Sequence, residues 1–578
     1  MDAAIRIVDW ESSALFVERR LPQNYLPAAL GALAGRKGGQ GRHLFALRAG
    51  RIPRTGIETF VVDAATLADP EAMAAFVAQV FPEDQFPGPV YLGPVASADP
   101  GGGARVVPLQ ADPHNATGDV DSVAVVIDSG IAFWDAAFRH EGQSSFREMV
   151  FLDFDLDGGG NAIGQRLGRQ EIAALCALAD TEGTEAVMTA LSARPTSFYG
   201  PEGEAAAHQG WHGTGIADLV AGGAAGDRVA LFGVELPTAV TRDHDGDSLS
   251  AVLALTIEMV LAATEPLGHL PLVIALPFGF VAGPQDGTHP VAVSVGDVLM
   301  GTRGIRDVTL VVPAGNHRQD RCTARIVGPG EVVWRIAPDD HSPNAMQIIM
   351  PDETAGLWLA PPGQGAIPIL PSPGRLSLIQ RGQAVIGAIH RQPDTSGRVR
   401  LRLTLGPTGR ADPGDAIAPF GDWRIGLAGD GTADLFILRD DRDPVTDRGR
   451  PHRGAVFDAP GYVATDPDGA PVMPDRVASV VRRAGTASIL TTIPGVVPVG
   501  AAERLGSGAP RTAWYCGAPT DGADWAVTEL VDDGWPSRGV DCAANGSAQR
   551  HRMSGTSAAA ALRARRLLNL PPRGPDRG

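Results

Sequence analysis

The sequence predicts an α/β fold built on a parallel sheet, followed by a region of antiparallel strands. Three continuous apolar runs, at residues 122–127, 272–276 and 309–312, have the pattern of strands buried on both faces. Helical segments alternate with these runs, which is typical of a parallel sheet covered by helices. Beyond residue 322 the apolar runs are short and separated by Gly, Pro and Asp, a pattern that predicts a β-sandwich.

These patterns divide the chain into five parts. The first part, residues 1–118, shows a mixed α+β pattern with a helix expected near residues 69–81. It can be either a permanent accessory domain, which we favour slightly, or a cleaved prodomain. The parts are an N-terminal α+β accessory domain or prodomain (1–118), the first part of the parallel-sheet domain (119–322), an inserted β-sandwich (323–442), a polar loop or linker (443–484) and the second part of the parallel-sheet domain (485–578).

Four polar residues stand where predicted strands end or helices begin. Asp128 and Asn316 each follow a buried strand, whereas His212 opens a short helix and Ser557 an alanine-rich one. Each residue alone has a structural explanation, as a turn residue, a helix-start residue or an N-cap. Because open α/β sheets place their sites at the carboxyl ends of strands, the four positions together favour a catalytic site.

The chain order Asp, His, Asn, Ser resembles that of the subtilisin-like serine proteases, the subtilases of peptidase family S8. The matching segments are Asp128-Ser-Gly, His212-Gly-Thr-Gly, Ala314-Gly-Asn316 and Gly555-Thr-Ser557-Ala-Ala. Residues 323–442 resemble the jelly-roll insertion that some members carry between the asparagine and the serine. The resemblance implies a subtilisin-like catalytic domain interrupted by a jelly-roll-like β-sandwich.

The resemblance also implies a serine endopeptidase with an Asp-His-Ser triad. Ser557 would be the nucleophile, His212 its general base, and Asp128 the group that orients the imidazole. Asn316 and the backbone N–H of Ser557 would bind the oxyanion. The run 272–279 resembles the family's substrate-lining strand, and its Phe278 suggests an apolar or mixed specificity pocket. The residues expected to line the substrate are Leu276, Pro277, Phe278, Gly279, Ala314 and Gly315.

The chain departs from the family pattern at three points. Ala561 stands where the serine motif usually continues with proline, and Pro277 stands where the substrate strand commonly has serine. Because proline has no N–H, Pro277 removes a backbone donor from the substrate-pairing edge. Few residues follow Ser557, so the C-terminal helices usual in the family are expected to be truncated or replaced by another segment.

Composition excludes several classes of function. The chain has 578 residues and a formal net charge of −17, which argues against nonspecific nucleic-acid binding. No run of about 18 apolar residues occurs, so no membrane-spanning helix is expected. The acidic N-terminus does not fit a secretory signal, so we expect a cytoplasmic protein, or a secreted one whose leader was removed. Four cysteines in so long a chain do not suggest a disulfide framework.

The expected chemistry requires no cofactor, and calcium is a weaker expectation. Asp153, Asp155 and Asp157 have the spacing of the first half of a calcium loop, but Gly164 stands where the bidentate Glu belongs, which favours a solvated acidic loop. The expected partners are a peptide or protein substrate and a regulatory protein. Two alternative functions stay open: a catalytically inactive binding module, and another acyl-transfer activity such as an esterase or peptide ligase.

Overall fold

The description of the fold rests on a computed structural model of the chain. The residues that the structure describes are 4–9, 42–48, 57–62, 91–95, 103–105, 120–140, 143–151, 165–192, 211–223, 228–236, 247–302, 304–371, 376–382, 384–392, 396–410, 417–438, 453–477, 479–533, 539–544 and 549–573.

Strands and helices alternate over residues 165–313, and strands dominate the described residues before and after that stretch. The strands are β1 (Ile5–Asp9), β2 (Arg42–Arg48), β3 (Ile57–Val62), β4 (Tyr91–Val95), β5 (Gly103–Arg105), β6 (Ser122–Asp128), β7 (Arg139–His140), β8 (Gln143–Ser144), β9 (Phe146–Phe151), β10 (Gln165–Gly168), β11 (Val229–Glu235), β12 (Leu272–Ala275), β13 (Val308–Pro313), β14 (Thr323–Val327), β15 (Gly330–Ile336), β16 (Asn344–Met350), β17 (Leu357–Ala360), β18 (Ile367–Pro368), β19 (Leu376–Arg381), β20 (Ala384–Gln392), β21 (Val399–Leu405), β22 (Gly421–Leu427), β23 (Thr432–Ile437), β24 (Val456–Asp458), β25 (Val481–Arg482), β26 (Val497–Arg504), β27 (Arg511–Thr512), β28 (Thr528–Asp533), β29 (Val540–Ala543) and β30 (Arg550–Met553). The α-helices are α1 (Arg169–Glu182), α2 (Thr184–Ser192), α3 (His212–Ala221), α4 (Asp247–Ala263), α5 (Pro290–Thr302) and α6 (Thr556–Leu567).

A nine-stranded, mostly parallel sheet forms the centre of the fold. Its strand order is β10-β9-β11-β6-β12-β13-β26-β27, and β28 pairs with β26. The pairs from β9 through β26 are parallel, as is the β26–β28 pair, whereas β10 and β27 are antiparallel. All seven residues of β6 are buried, which explains why its sequence is apolar without alternation. The parallel sheet predicted from the apolar runs is confirmed.

Helices cover both faces of this sheet. Val126 of β6 packs in the apolar cluster formed with α3 and α6, whereas its neighbour Val125 packs in the cluster formed with α4 and α5. The alternation follows from the period-two geometry of a strand. The small side chains of α6, including the buried Ala560, allow this helix to pack closely against α3 and the sheet.

Two antiparallel sheets are built mainly from the stretch between residues 323 and 458, which we call the antiparallel region, and β1 and β25 are the edge strands of the larger one. One has the order β1-β19-β20-β21-β16-β23-β14-β25 and the other β18-β17-β22-β15-β24. A shared core contains the fully buried Trp334, Trp423 and Phe457. The antiparallel strands expected here are present, and their interpretation as an inserted jelly-roll-like β-sandwich stays a prediction.

The N-terminal strands are divided between two places. Strand β1 pairs antiparallel with β19 at the edge of the antiparallel region, and Ile5 is buried in its core. Strands β2 to β5 form a separate sheet with the order β4-β2-β3-β5, which lies against α4. The helix expected at residues 69–81 lies outside the described residues, and the five predicted domain boundaries stay predictions.

Candidate active site

Asp128 and His212 form a hydrogen-bonded pair at the carboxyl edge of the parallel sheet. Asp128 is the last residue of β6 and is fully buried, and His212 is the first residue of α3. The Nδ1 atom of His212 lies 2.8 Å from Oδ2 and 3.0 Å from Oδ1 of Asp128. The backbone N–H of Ser129 also donates to Oδ1, at 2.7 Å. This pairing fixes one imidazole nitrogen and leaves Nε2 for another partner.

The loop after Asp128 is tied to the first turn of α3. Gly213 N donates to Ser129 O at 2.9 Å, and the Thr214 hydroxyl donates to Gly130 O at 2.8 Å. A Cβ atom at Gly213 would lie only 2.6 Å from a side-chain carbon of Ile131, so the close approach requires glycine. The His-Gly-Thr sequence therefore positions the imidazole by steric fit and backbone hydrogen bonds together.

The electrostatics of the pair favour a charged imidazole. Burial lowers the pKa of His212, but the charge of Asp128 and the hydrogen bond to it raise the pKa more, and the net pKa lies above the ordinary value. The His212 side chain is still 39% exposed, so the ring remains accessible to a ligand. Such a ring can accept a proton and hold it while a substrate reacts.

Ser557 lies in the first turn of α6 and contacts the predicted substrate strand. Its hydroxyl donates to the Pro277 carbonyl at 2.9 Å. Among the described residues, Ser557 and His212 are not joined by a hydrogen bond. The ring of the next residue, Phe278, lies 6.3 Å from the His212 ring, centre to centre. Helices α3 and α6 pack together. The Ser557 hydroxyl and the His212 imidazole therefore both contact the segment 277–278.

Asn316 is oriented by the residue that precedes Ser557. Its Oδ1 accepts hydrogen bonds from both the backbone N–H and the hydroxyl of Thr556, each at 3.0 Å. The Thr556 hydroxyl in turn accepts from Gly315 N at 3.1 Å. Because Oδ1 is engaged, the amide NH₂ is the end of the exposed Asn316 side chain that can donate to a ligand.

The two predicted substrate-lining segments approach one another around Ser488. A Cβ atom at Gly279 would lie 2.5 Å from Ser488 Oγ, and one at Gly315 would lie 3.3 Å from Ser488 N. Ser488 N donates to Ala314 O at 2.8 Å, and Leu276 N donates to Val311 O at 3.1 Å. Ser488 is fully buried and was missed by the sequence analysis, since no motif marks it.

Glu235 was also missed, although it ends a strand in register with Asp128. Strand β11 pairs with β6 so that the two acidic residues are neighbours. The Glu235 carboxylate accepts from Gly130 N at 2.5 Å and from Ile131 N at 3.1 Å. Burial raises its pKa to about 8, with a further rise from Asp128, against the lowering effect of these two hydrogen bonds. An apolar run ending in an acid was the signal that could have found it.

Four further predictions concern the calcium loop, membrane-spanning helices, the cysteines and Ala561. Asp153, Asp155 and Asp157 lie outside the described residues, and within the described part of the chain no group of three or more His, Cys, Asp or Glu could hold a metal ion. No described helix is long and apolar enough to cross a bilayer. The four cysteines are buried and free. Ala561 is buried within α6, which continues to Leu567.

The stretch that follows α6 is bound to the end of α3. Arg573 donates to the carbonyl of Gly222 at 3.1 Å and forms an ion pair with Asp218 at 2.8 Å. Arg565 of α6 donates to the same carbonyl at 3.2 Å. Two guanidinium groups therefore satisfy the carboxyl end of the helix that begins with His212, where a positive charge is favoured by the helix dipole.

Comparisons with known proteins bear on the fold. No family model matches the sequence, and no curated protein matches it. The structure is similar to that of the Clostridium perfringens CspB protease, with a TM-score of 0.51 and 15% sequence identity over 78% of this chain and 81% of that chain. At this identity the likeness concerns the fold alone: the chain has an α/β fold that is also found in a protease.

Proposed function

We propose that this chain is a subtilisin-like serine endopeptidase of peptidase family S8 that hydrolyses peptides or proteins. The observation that carries the proposal is the pairing of Asp128 with a histidine at the start of a helix, packed against a second helix that has Ser557 in its first turn. Asn316, bonded to the residue before that serine, supplies the donor that acyl transfer needs. The chain order of these four residues, and their types, agree with the subtilase motifs that the sequence resembles.

The proposed reaction uses these side chains alone. The Ser557 oxygen attacks the scissile carbonyl carbon while its proton moves to Nε2 of His212, whose charged form is stabilised by Asp128. The resulting oxyanion accepts hydrogen bonds from the Asn316 amide and the Ser557 N–H. The C–N bond then breaks, the leaving amine takes the proton from His212, and an acyl ester remains on Ser557. Water repeats the sequence and releases the acid.

The resting position of Ser557 adds one requirement to this reaction. Its hydroxyl donates to Pro277 O, so attack requires the side chain to exchange this acceptor for His212 Nε2. A latent, catalytically inactive form is the second candidate function, and this contact is the observation that favours it.

The finer assignments follow from the same proposal. Residues 323–442 are assigned to a jelly-roll-like insertion in the catalytic domain, and a calcium site at Asp153, Asp155 and Asp157 is left as a weaker assignment. The protein would act in the cytoplasm on a peptide or protein substrate, with no cofactor. A regulatory protein partner would restrain its activity there.

Labelling with a fluorophosphonate probe tests the proposal directly. We expect the wild type and Ser507→Ala, a change of an exposed serine that is not one of the proposed catalytic residues, to be labelled, and Ser557→Ala to remain unlabelled. Hydrolysis of a peptide library should follow the same pattern. Equal labelling of all three proteins, or of none, would contradict the proposal, and absence of labelling in all three would favour the inactive form.

Two further readouts separate the remaining alternatives. Matched ester and amide substrates distinguish an esterase or ligase from a peptidase, since a peptidase must turn over the amide. The intact mass of the wild type, compared with Ser557→Ala, tests whether the N-terminal part is a prodomain. Shortening of the wild type alone, near residues 108–118, would indicate self-cleavage, whereas equal masses would rule out a self-cleaved prodomain.

A further inference from the structure

The turn that leads into Ser557 adopts a backbone conformation that favours glycine. Strand β30 ends at Met553, and Gly555 has φ +104°, a conformation that L side chains rarely adopt. The turn has no side chain at Gly555 with which to anchor itself. Helix α6 begins at Thr556, directly after this turn. Any movement of the turn would therefore displace both the Ser557 hydroxyl and the Ser557 N–H.

Tyr515, in the turn after β27, and Asp532, in β28, hold this turn. The Tyr515 hydroxyl donates to Asp532 Oδ2 at 2.8 Å and accepts from Gly555 N at 3.1 Å. The Ser554 hydroxyl lies 2.8 Å from both oxygens of the same carboxylate. One carboxylate therefore binds the turn twice, directly through Ser554 and indirectly through Tyr515 and Gly555.

Burial of the Asp532 carboxylate without a positive partner lowers the stability of the folded protein. Asp532 lies in β28 at the end of the parallel sheet and is 4% exposed. Among the described residues it has no arginine, lysine or histidine partner within ion-pair distance, and its side-chain bonds come from the two hydroxyl groups. Burying a carboxylate without a counter-charge is expensive, so a residue serving packing alone would be better replaced by an apolar one.

Tyr515 stays a hydrogen-bond donor throughout the range in which a protease would work. Burial raises its pKa, and the nearby charge of Asp532 raises it further, so the phenol keeps its proton. The single proton is directed to Asp532, which leaves an oxygen lone pair for Gly555 N–H. The direction of both hydrogen bonds is thereby defined, unlike that of a hydroxyl between two equivalent partners.

We propose that Tyr515 and Asp532 are positioning residues that hold the Ser554–Gly555 turn and so align Ser557 for attack. The inference rests on the proposed serine-hydrolase function of Ser557. Neither residue touches the substrate-lining segments in any described contact, so their removal should slow acylation without weakening substrate binding. The Ser557 hydroxyl and N–H would both lose alignment, since they belong to the same helix start.

The test compares Tyr515→Phe, Ser554→Ala and Ser554→Thr in the full chain. Tyr515→Phe should lower kcat and the rate of fluorophosphonate labelling by up to about 10²-fold, with KM within about twofold, since a small misplacement of a reacting group has this size of effect. Ser554→Ala should have a smaller effect in the same direction, and Ser554→Thr, which keeps the hydroxyl on an exposed position, should restore the rate. Tyr462→Phe, at another half-buried tyrosine, is the matched control.

Hydrogen exchange of the peptide spanning residues 553–557 supplies a readout that does not depend on activity. We expect faster exchange in Tyr515→Phe, confined to this turn, and no change in Tyr462→Phe. Wild-type rates and wild-type exchange in a folded Tyr515→Phe protein would overturn the positioning role. A wild type that is neither labelled nor active would instead overturn the proposed function, and with it the catalytic part of this inference, whatever the exchange result.

Discussion

The parallel sheet and the antiparallel region bury their strands in different ways. Every residue of β6 is buried because helices cover both faces of the parallel sheet, and the first charged residue is the last one, Asp128. In β21 the core residues Leu401 and Leu403 alternate with Arg400 and Arg402, which are also buried. In these two strands the charged groups therefore stand at the end of β6 and along the length of β21.

This difference explains where chemistry can occur. Parallel strands all end at the same edge, so Asp128, Asn316 and the segment after β12 are brought together there. Hairpin-linked antiparallel strands send successive ends to opposite edges, so no single edge collects their polar ends. We therefore expect substitutions at the edge of the parallel sheet to change catalysis, and substitutions in the antiparallel core to change stability.

The largest expected effect is that of Asp128→Asn. Without the carboxylate the imidazole loses its orientation and its stabilising charge, and under the proposed function kcat should fall by about 10⁴-fold, the size of the effect in serine proteases. Peptide hydrolysis measures the loss of activity, and thermal unfolding measures any loss of stability. Asp121→Asn, which precedes the same strand and changes only an exposed ion pair, should retain full activity. A loss below tenfold for Asp128→Asn would show that the pair with His212 is structural.

Trp423→Ala tests the other half of the comparison. Trp423 is fully buried in the antiparallel core, and its indole N–H donates to Pro419 O at 2.9 Å. Its removal should lower the free energy of unfolding by about 3–5 kcal/mol. The kcat of the folded fraction should remain that of the wild type. Val327→Ala, an exposed change on β14, should leave both quantities unchanged. A fall in kcat at low temperature would show that the antiparallel core supports the site.

Local patterns were sufficient to predict the elements that carry the site. The run at 122–127 became β6, the helix opened by His212 became α3, and the alanine-rich run became α6. Each of these depends on burial of a continuous face, a property that neighbouring residues share and that periodicity detects. The convergence of Asp128 and His212 also followed, because strand ends and helix starts meet at one edge of a parallel sheet.

Such local patterns did not predict the contacts between segments that are distant in the sequence. Ser488 lies between Gly279 and Gly315, and Tyr515 reaches Gly555, without any repeat or motif linking these positions. Strand β1 pairs with β19 across most of the chain, so nothing local to residues 5–9 indicates its partner. Pairings of this kind depend on which edges remain open after the rest has folded, and periodicity contains no record of that.

Gly279→Ala sharpens the comparison within the parallel-sheet edge. The new Cβ would lie 2.5 Å from Ser488 Oγ, so the two predicted substrate-lining segments must separate, and overpacking of this kind costs about 1–3 kcal/mol. Ser488→Gly in the same protein removes the clash and should recover most of the lost stability and activity. Thermal unfolding of the two single variants and the double variant forms a cycle. Additive losses would show that Gly279 and Ser488 do not constrain one another.

The smallest expected effect concerns the pH dependence of stability through Glu235. In the folded protein its pKa is about 8, because burial disfavours the charged carboxylate, whereas an unfolded glutamate ionises near its ordinary value. Between those two values the folded state holds a proton that the unfolded state releases. Stability from this group therefore falls as pH rises through that window and is constant above about pH 8.

Glu235→Gln should remove this slope, since glutamine does not ionise. At pH 5 the variant should be the less stable protein, because its amide replaces one of the oxygens that accept from Gly130 and Ile131. The difference in unfolding temperature between the variant and the wild type should then move in favour of the variant up to about pH 8. Glu503→Gln, at a similarly buried glutamate paired with Arg511, controls for the loss of a buried carboxylate. A constant difference at all pH values would mean that Glu235 is ionised throughout, and that its two backbone donors outweigh burial. The edge of the parallel sheet would then carry two negative charges side by side, and the imidazole of His212 would be stabilised in its charged form by both.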